Sequence, residues 1–321
     1  MPKIDVLILR DGIHGLSVGP YAESLRERLP NHEIRIAQTP EDRQELAPQA
    51  RAISGVSIDR ELLRRAGELE LFAGLASGYD HLPLEALSDA GVTVTTGSGV
   101  HAPNIAEQVL AYILGFVRSL EVARDQQKRR VWQHYQSNEL YGSTVTIVGL
   151  GSIGRAITQR VSAFGVETIG VRYTPKKGGP TDEVIGFNDR AFHQALVETD
   201  HLVIASPLTE TTRGLVDRQA FKSLPNHAYL VNVGRGPIVD TKALVEAVRK
   251  NWVNGAALDV TDPEPLPQKH PLWRFDNVTI TPHTSGYSPK LWIRLAEIVA
   301  ENIRHLDAGE APEAFRNRIH C

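Results

Sequence analysis

The sequence predicts an α/β protein with two parallel-sheet domains, and three observations carry that prediction. The 321 residues suffice for about two buried cores. Short apolar runs alternate with helix-length amphipathic segments along the chain. A glycine-rich turn, Gly149-x-Gly151-x-x-Gly154, stands between a strand signal and a helix signal near its middle.

That turn organises the rest. Val145, Ile147 and Val148 form the apolar run before it. Arg155, Ala156 and Ile157 open a helical segment after it, and Val161 and Phe164 extend the apolar face. Strand, turn and helix in this order are the fingerprint of a dinucleotide-binding unit. Gly149 permits the sharp turn, Gly151 lets backbone approach a pyrophosphate, and Gly154 lets the helix pack against the strand. Ser152, Ile153 and Gly154 open the helix, whose unsatisfied N–H groups and positive dipole end face the phosphates.

Before the turn, residues 4–9 read as a buried strand and 20–29 as a helix. Ile34 and Ile36 alternate with Glu33 and Arg35, the period of a strand. Residues 59–66 read as a short helix, and 69–76 as a strand ending in Ser77-Gly78-Tyr79-Asp80. A helix over 84–90 and a strand over 92–96 follow. A long helical segment over 102–127, with Val109, Ile113 and Val117 on one face, suits a connection between domains. Its basic end, Lys128–Arg130, reads as a solvated face. Trp132 beyond it suits a subunit contact or local packing equally.

After the turn, strands are expected over 168–172, 201–206, 228–233, 255–260 and 278–281, with helices over 189–198, 218–224 and 240–250. Together with the strand before the glycines, this gives six strands in a βαβ rhythm, a full doubly wound nucleotide domain. The polar stretch from Lys176 to Asp189 has no assigned path. The segment 288–306 is an amphipathic helix (Leu291, Leu295, Ile298, Ile303) that would lie back on the first domain if the nucleotide domain is an insertion.

Composition excludes several classes. With 41% apolar and 23% charged residues the chain is ordinary for a globular protein. A net charge of −3 points to neither nucleic acid nor an anionic membrane. The single cysteine, Cys321, excludes an intramolecular disulfide and Cys-rich metal sites, and no metal is expected. No export signal is evident, and no apolar run approaches the ~18 residues of a membrane span, so a cytoplasmic protein is expected.

An NAD-binding unit usually carries an acid at the end of its second strand, which bonds the ribose 2′-hydroxyl. Here Arg172 occupies that place, eighteen residues after Gly154, followed by Tyr173, Thr174, Lys176 and Lys177. An arginine with hydroxyl and ammonium neighbours suits a 2′-phosphate that a carboxylate would repel. NADP(H) is therefore the expected cofactor, with NAD(H) possible.

Three later stretches place polar residues just after strand signals, where a doubly wound domain builds its site. They are Asn232-Val-Gly-Arg235-Gly, Asp259-Val-Thr-Asp-Pro-Glu264 and Thr281-Pro-His283-Thr-Ser. With the Ser77 turn, Asn104-Ile-Ala-Glu107, the Gly149 loop and Ser206-Pro207-Leu-Thr-Glu-Thr-Thr212, they resemble the D-isomer-specific 2-hydroxyacid dehydrogenase family over nearly the whole chain. The resemblance implies two Rossmann-like domains. A doubly wound parallel nucleotide-binding domain (100–285) is inserted in a smaller, split, flavodoxin-like substrate domain (1–99 and 286–321).

It also implies reversible hydride transfer between NADP(H) and a 2-oxo acid, forming the D-2-hydroxy acid. His283 is the expected acid/base, because imidazole titrates near neutrality. Glu264 would hydrogen-bond it and favour the imidazolium. Arg235 would bind the substrate carboxylate and polarise the carbonyl. Asp259 would meet the nicotinamide carboxamide, and Ser206, Pro207, Thr212 and Val233 would line the cofactor. Ser77, Gly78 and Tyr79 would join Arg235 and His283 in holding substrate, and domain closure would exclude water. Side-chain preference would be set by loops around Ile53–Val56 and Ser77–His81, where Gly55 and Gly78 hint at room. His101 and Tyr79 either line that pocket or cap turns. A homodimer is implied. A glyoxylate or hydroxypyruvate reductase is the nearest alternative, and a dinucleotide-sensing binding protein is the alternative of another class.

Overall fold

The computed structural model describes residues 3–10, 16–79 and 81–319, so Asp80 and Cys321 lie outside the described residues. The chain divides into two compact units, Met1–Val100 with Ser288–Cys321, and His101–Tyr287.

The first unit opens with β1 (Ile4–Leu9), α1 (Gly19–Arg28), β2 (Ile34–Ala37), α2 (Pro40–Leu46) and β3 (Ala50–Gly55). It continues with α3 (Arg60–Arg65), β4 (Leu71–Gly74), α4 (Leu84–Asp89) and β5 (Thr93–Thr95). The strands form one parallel sheet in the order β2-β1-β3-β4-β5. Alternation along β1 explains the layering, because successive side chains point to opposite faces. Val6 and Ile8 join the core with α1, whereas Leu7 and Leu9 join the one beneath α2, α3 and α4. Local chemistry fixes the helix starts: Thr39 and Asp42 form a reciprocal capping box on α2, and Asp59 accepts from Leu62 N at the start of α3.

Residues 53–55 are not the loop expected from sequence but the end of β3, paired with β1 and β4. The buried Ser54 hydroxyl bonds Tyr21 Oη at 2.8 Å and donates to Ala73 O at 3.1 Å. Gly55 supplies no pocket room, because a Cβ there would stand 2.8 Å from Leu9 Cδ1.

The second unit begins with α5 (Ala102–Val117) and α6 (Leu120–Arg129). The expected single helix breaks at Ser119, whose φ of 50° ends one α-helical run and starts another. Then come β6 (Thr144–Val148), α7 (Ser152–Val161), β7 (Glu167–Val171), β8 (Glu183–Ile185), α8 (Asp189–Val197) and β9 (His201–Ile204). They are followed by α9 (Arg218–Ser223), β10 (Tyr229–Asn232), α10 (Thr241–Arg249), β11 (Gly255–Leu258) and β12 (Val278–Ile280). The parallel sheet runs β12-β11-β10-β9-β6-β7-β8, seven strands where six were expected. The additional strand is β8, which pairs with β7 inside the polar stretch that had no assigned path. One face of the sheet packs on α5 and α7, the other on α8, α9 and α10. The winding reverses between β6 and β9, where doubly wound sheets open a crevice at their carboxyl ends.

The chain then returns to the first unit with α11 (Leu291–Asp307). Leu291, Leu295, Ile298, Val299 and Ile303 complete the core that covers Val6 and Ile8. Among the described residues no helix is long and apolar enough to cross a membrane.

Candidate active site

Apart from His101 and the residues on α7, every candidate group of the second unit lies in a loop after a strand, at the carboxyl edge of the sheet. At the switch point, Gly149 has φ +100°, and a Cβ there would stand 2.8 Å from Ser206 Cα. A Cβ on Gly154 would stand 1.8 Å from Gly149 O, so helix and turn touch through backbone alone. Gly151, by contrast, has nothing within 4 Å of where a Cβ would be. α8, α9 and α10 are capped by the side chains of Asn188, Asp217 and Asp240, but α7 begins after Gly151 with no side-chain cap. The N–H groups of Ser152, Ile153 and Gly154 therefore lack the side-chain partner that α8, α9 and α10 carry. Ser206, 4% exposed just past β9, has a buried hydroxyl with no partner among the described residues. An open glycine, an uncapped helix start and an orphaned buried hydroxyl around one turn fit a diphosphate-bearing cofactor.

Other expected cofactor residues are placed less openly. Thr212 Oγ1 is turned into its own loop, donating to Pro207 O at 2.8 Å and accepting from Thr209 N at 2.8 Å. Val233 is buried at the end of β10. Arg172 follows β7 directly and donates through Nη1 to Gly178 O at 2.6 Å. Tyr173, Thr174, Lys176 and Lys177 are exposed around it. The nearby acid, Asp182, is engaged at the opposite end of β7, where hydrogen bonds from Thr168 hold its carboxyl below the usual range. No carboxylate takes the place of Arg172.

The candidate chemistry sits on the three neighbouring strands β10, β11 and β12. Arg235 is exposed after β10, pinned between two glycines that allow close backbone approach. A Cβ on Gly234 would stand 2.8 Å from Ser206 O, and one on Gly236 would stand 1.9 Å from Thr261 O. The buried Asn232 side chain shapes this turn, accepting from Gly234 N at 3.0 Å and donating to Arg235 O at 3.1 Å. Sequence reasoning passed over that brace, although an asparagine two residues before a glycine is a turn signal.

Glu264 follows β11 and His283 follows β12, and the pair meets, Nδ1 to Oε1 at 2.6 Å, with both side chains partly exposed. His283 holds φ +50°, an uncommon backbone state for a residue with a side chain. Its N–H donates to Asp259 O at 2.8 Å. The Asp259 carboxylate, on a residue 2% exposed, accepts from Thr281 Oγ1, Thr284 N, Ser285 N and Ser285 Oγ. Thr281 and Ser285 also escaped sequence reasoning, because their role depends on a fold that brings residue 259 to the loop.

In the first unit, Ser77, Gly78 and Tyr79 follow β4. Ser77 Oγ donates to Gly97 O at 3.3 Å, Gly78 has open space where a Cβ would stand, and Tyr79 is exposed. In the second unit, His101 precedes α5 and its Nδ1 bonds Gly286 O at 2.8 Å. Among the described residues no group of three His, Cys, Asp or Glu could hold a metal.

Comparison with known proteins agrees with this geometry. Residues 110–285 match the family described as D-isomer specific 2-hydroxyacid dehydrogenase, NAD binding domain. The glyoxylate reductase of Thermofilum pendens is 35% identical over 268 residues, 81% of this chain and 78% of that protein. The glyoxylate reductase of Aeropyrum pernix is 34% identical over 270 residues, 81% of this chain and 80% of that protein. A D-isomer specific 2-hydroxyacid dehydrogenase from Xanthobacter autotrophicus, solved with NADPH and MES, superposes with a TM-score of 0.80 at 27% identity, covering 99% of this chain and 98% of that one. The chain is an NAD(P)-dependent oxidoreductase. It belongs to the D-isomer-specific 2-hydroxyacid dehydrogenase family.

Proposed function

We propose that the protein reduces a small 2-oxo acid to the D-2-hydroxy acid with NADPH, and that His283 delivers the proton. The observation that carries this reading is the His283–Glu264 contact of 2.6 Å, beside the strand that presents Arg235. Bound dihydronicotinamide supplies the hydride. Glu264 holds one imidazole nitrogen, which fixes the ring and leaves Nε2 to face a substrate oxygen. Arg235, held by Asn232, supplies a guanidinium for the carboxylate and the polarised carbonyl. Gly149, Gly151, Ser152, Ile153, Gly154, Ser206, Pro207, Thr212 and Val233 form the cofactor side; Asp259, expected at the nicotinamide carboxamide, instead turns its buried carboxylate to Thr281, Thr284 and Ser285. Ser77, Gly78 and Tyr79 form the substrate side.

Arg172, with Tyr173, Thr174, Lys176 and Lys177, is assigned to the 2′-phosphate. Its Nη1 donates to Gly178 O, and the surroundings are cationic. The relatives named glyoxylate reductases support glyoxylate as the substrate, with hydroxypyruvate the next 2-oxo acid to try. A homodimer is proposed through α6 and the segment beyond it, where Trp132 is 95% exposed beside exposed Val131 and Tyr135.

The test is oxidation of NADPH and NADH with a panel of 2-oxo acids, using wild type, His283→Ala and Arg172→Ala. We expect NADPH-preferring turnover, a loss of at least 10³-fold in His283→Ala with NADPH binding retained, and loss of cofactor preference in Arg172→Ala. Wild-type preference for NADH would remove the assignment of Arg172. Binding without turnover on any substrate would turn the reading towards a dinucleotide sensor.

A further inference from the structure

The loop that carries His283 is held from behind by a chain of hydroxyls that reaches into α5. Tyr112, 6% exposed on that helix, places its hydroxyl 2.5 Å from Thr281 Oγ1. Thr281 Oγ1 in turn donates to Asp259 Oδ1 at 2.5 Å. The same carboxylate accepts the N–H groups of Thr284 and Ser285 and the Ser285 hydroxyl at 2.5 Å. Residues 281, 284 and 285 flank His283, whose N–H bonds the backbone carbonyl of Asp259. The histidine is thus fastened on both sides to one buried residue while its own φ is +50°. That conformation costs on the order of 1 kcal/mol or more and persists only where the surroundings impose it. A carboxylate offers about four acceptor positions, and four donor groups fill them. Burial raises the Tyr112 hydroxyl above its ordinary range, and the nearby Asp259 charge adds to that, so Tyr112 stays protonated as a donor towards Thr281.

We propose that Tyr112, acting through Thr281, and Ser285 are positioning residues: with Asp259 they hold the His283 loop in the conformation that sets the imidazole for proton transfer. The inference rests on the acid/base reading of His283. Tyr112 and Ser285 are assigned no contact with the reacting atoms. Their effect is confined to chemistry, because a displacement of under an ångström in an acid/base group is enough to slow the step strongly.

The decisive pair is at Thr281. Thr281→Val keeps the shape and removes the hydroxyl that links Tyr112 to Asp259, whereas Thr281→Ser keeps the hydroxyl. The expected result is a kcat roughly 5–50-fold lower in Thr281→Val, Tyr112→Phe and Ser285→Ala, with the KM and fluorescence-titrated Kd for NADPH within about twofold of wild type. Thr281→Ser should stay within about threefold of wild-type kcat. With NADPH deuterated at C4, the isotope effect on kcat should rise in the slowed variants, because chemistry then limits turnover. Unchanged kcat in all three hydroxyl deletions, or a loss that follows NADPH affinity or that Thr281→Ser shares, overturns the proposal. His283→Ala, run alongside, separates the two levels. If it retains turnover, the acid/base reading fails; if it is inactive while the deletions keep full kcat, only the positioning role fails.

Discussion

His201 shows how one buried side chain couples folding to pH. It opens β9, is 3% exposed, stacks on Tyr229 at 5.9 Å, and has no partner for Nδ1 among the described residues. Burial pushes its pKa down from 6.5 to about 4. Between those values the unfolded chain binds a proton that the folded chain does not, so stability is complete above about pH 6.5 and falls as pH drops towards 4. The loss from this one group is on the order of 3 kcal/mol by pH 4. Urea unfolding at pH 7 and 4.5 should show His201→Phe losing about 2 kcal/mol less than wild type over that interval. Equal losses would rule the coupling out. At this scale the sequence told some stories and not others. His283, Glu264 and Arg235 stood out because their chemistry is specific and each followed a strand signal. The supports of His283 did not, because Tyr112 and Thr281 are 169 residues apart and only the fold joins them.

At the scale of elements, the glycine turn separates two physical demands that its spacing merges. Gly154 exists for packing, since its Cβ would overlap Gly149 O, whereas Gly151 meets no protein atom and lies open to a ligand. Gly154→Ala should therefore lower the melting temperature by several degrees, since forced overpacking costs about 1–3 kcal/mol, and NADPH affinity should fall with it. Gly151→Ala should leave the melting temperature within about a degree and weaken NADPH binding at least tenfold. A matched loss of stability in both variants would remove the distinction. Strong periodicity made most elements readable, β6 and α11 above all. β3 escaped because Ala50-Arg-Ala-Ile-Ser-Gly55 carries small residues that a central strand needs for close packing and that hydropathy does not register. β8 escaped because three residues hold no period. The break between α5 and α6 has no proline to announce it, and Gly115 stands inside the last turn of α5; Arg118 and Ser119 turn the chain.

At the scale of the molecule, the exposed aromatic segment beyond α6 is the feature that a lone chain leaves unexplained. Trp132 at 95% exposure, beside exposed Val131 and Tyr135, is costly to leave in water. If the proposed homodimer forms through this segment, wild type should run as a dimer and Trp132→Glu as a monomer in size-exclusion chromatography with light scattering; equal masses would exclude this segment as the contact.

The first unit is assembled from both sides of the second, and α11 supplies Leu295, Val299 and Ile303 to its core. This imposes an order on synthesis. A ribosome that has released residue 287 has delivered every strand of the second unit, but the core over Val6 and Ile8 still lacks one wall. The second unit can therefore mature while the first waits with apolar surface uncovered, in the keeping of whatever chaperone attends the nascent chain. A free chain truncated after residue 287 should resist protease from residue 101 onward and be cut before it.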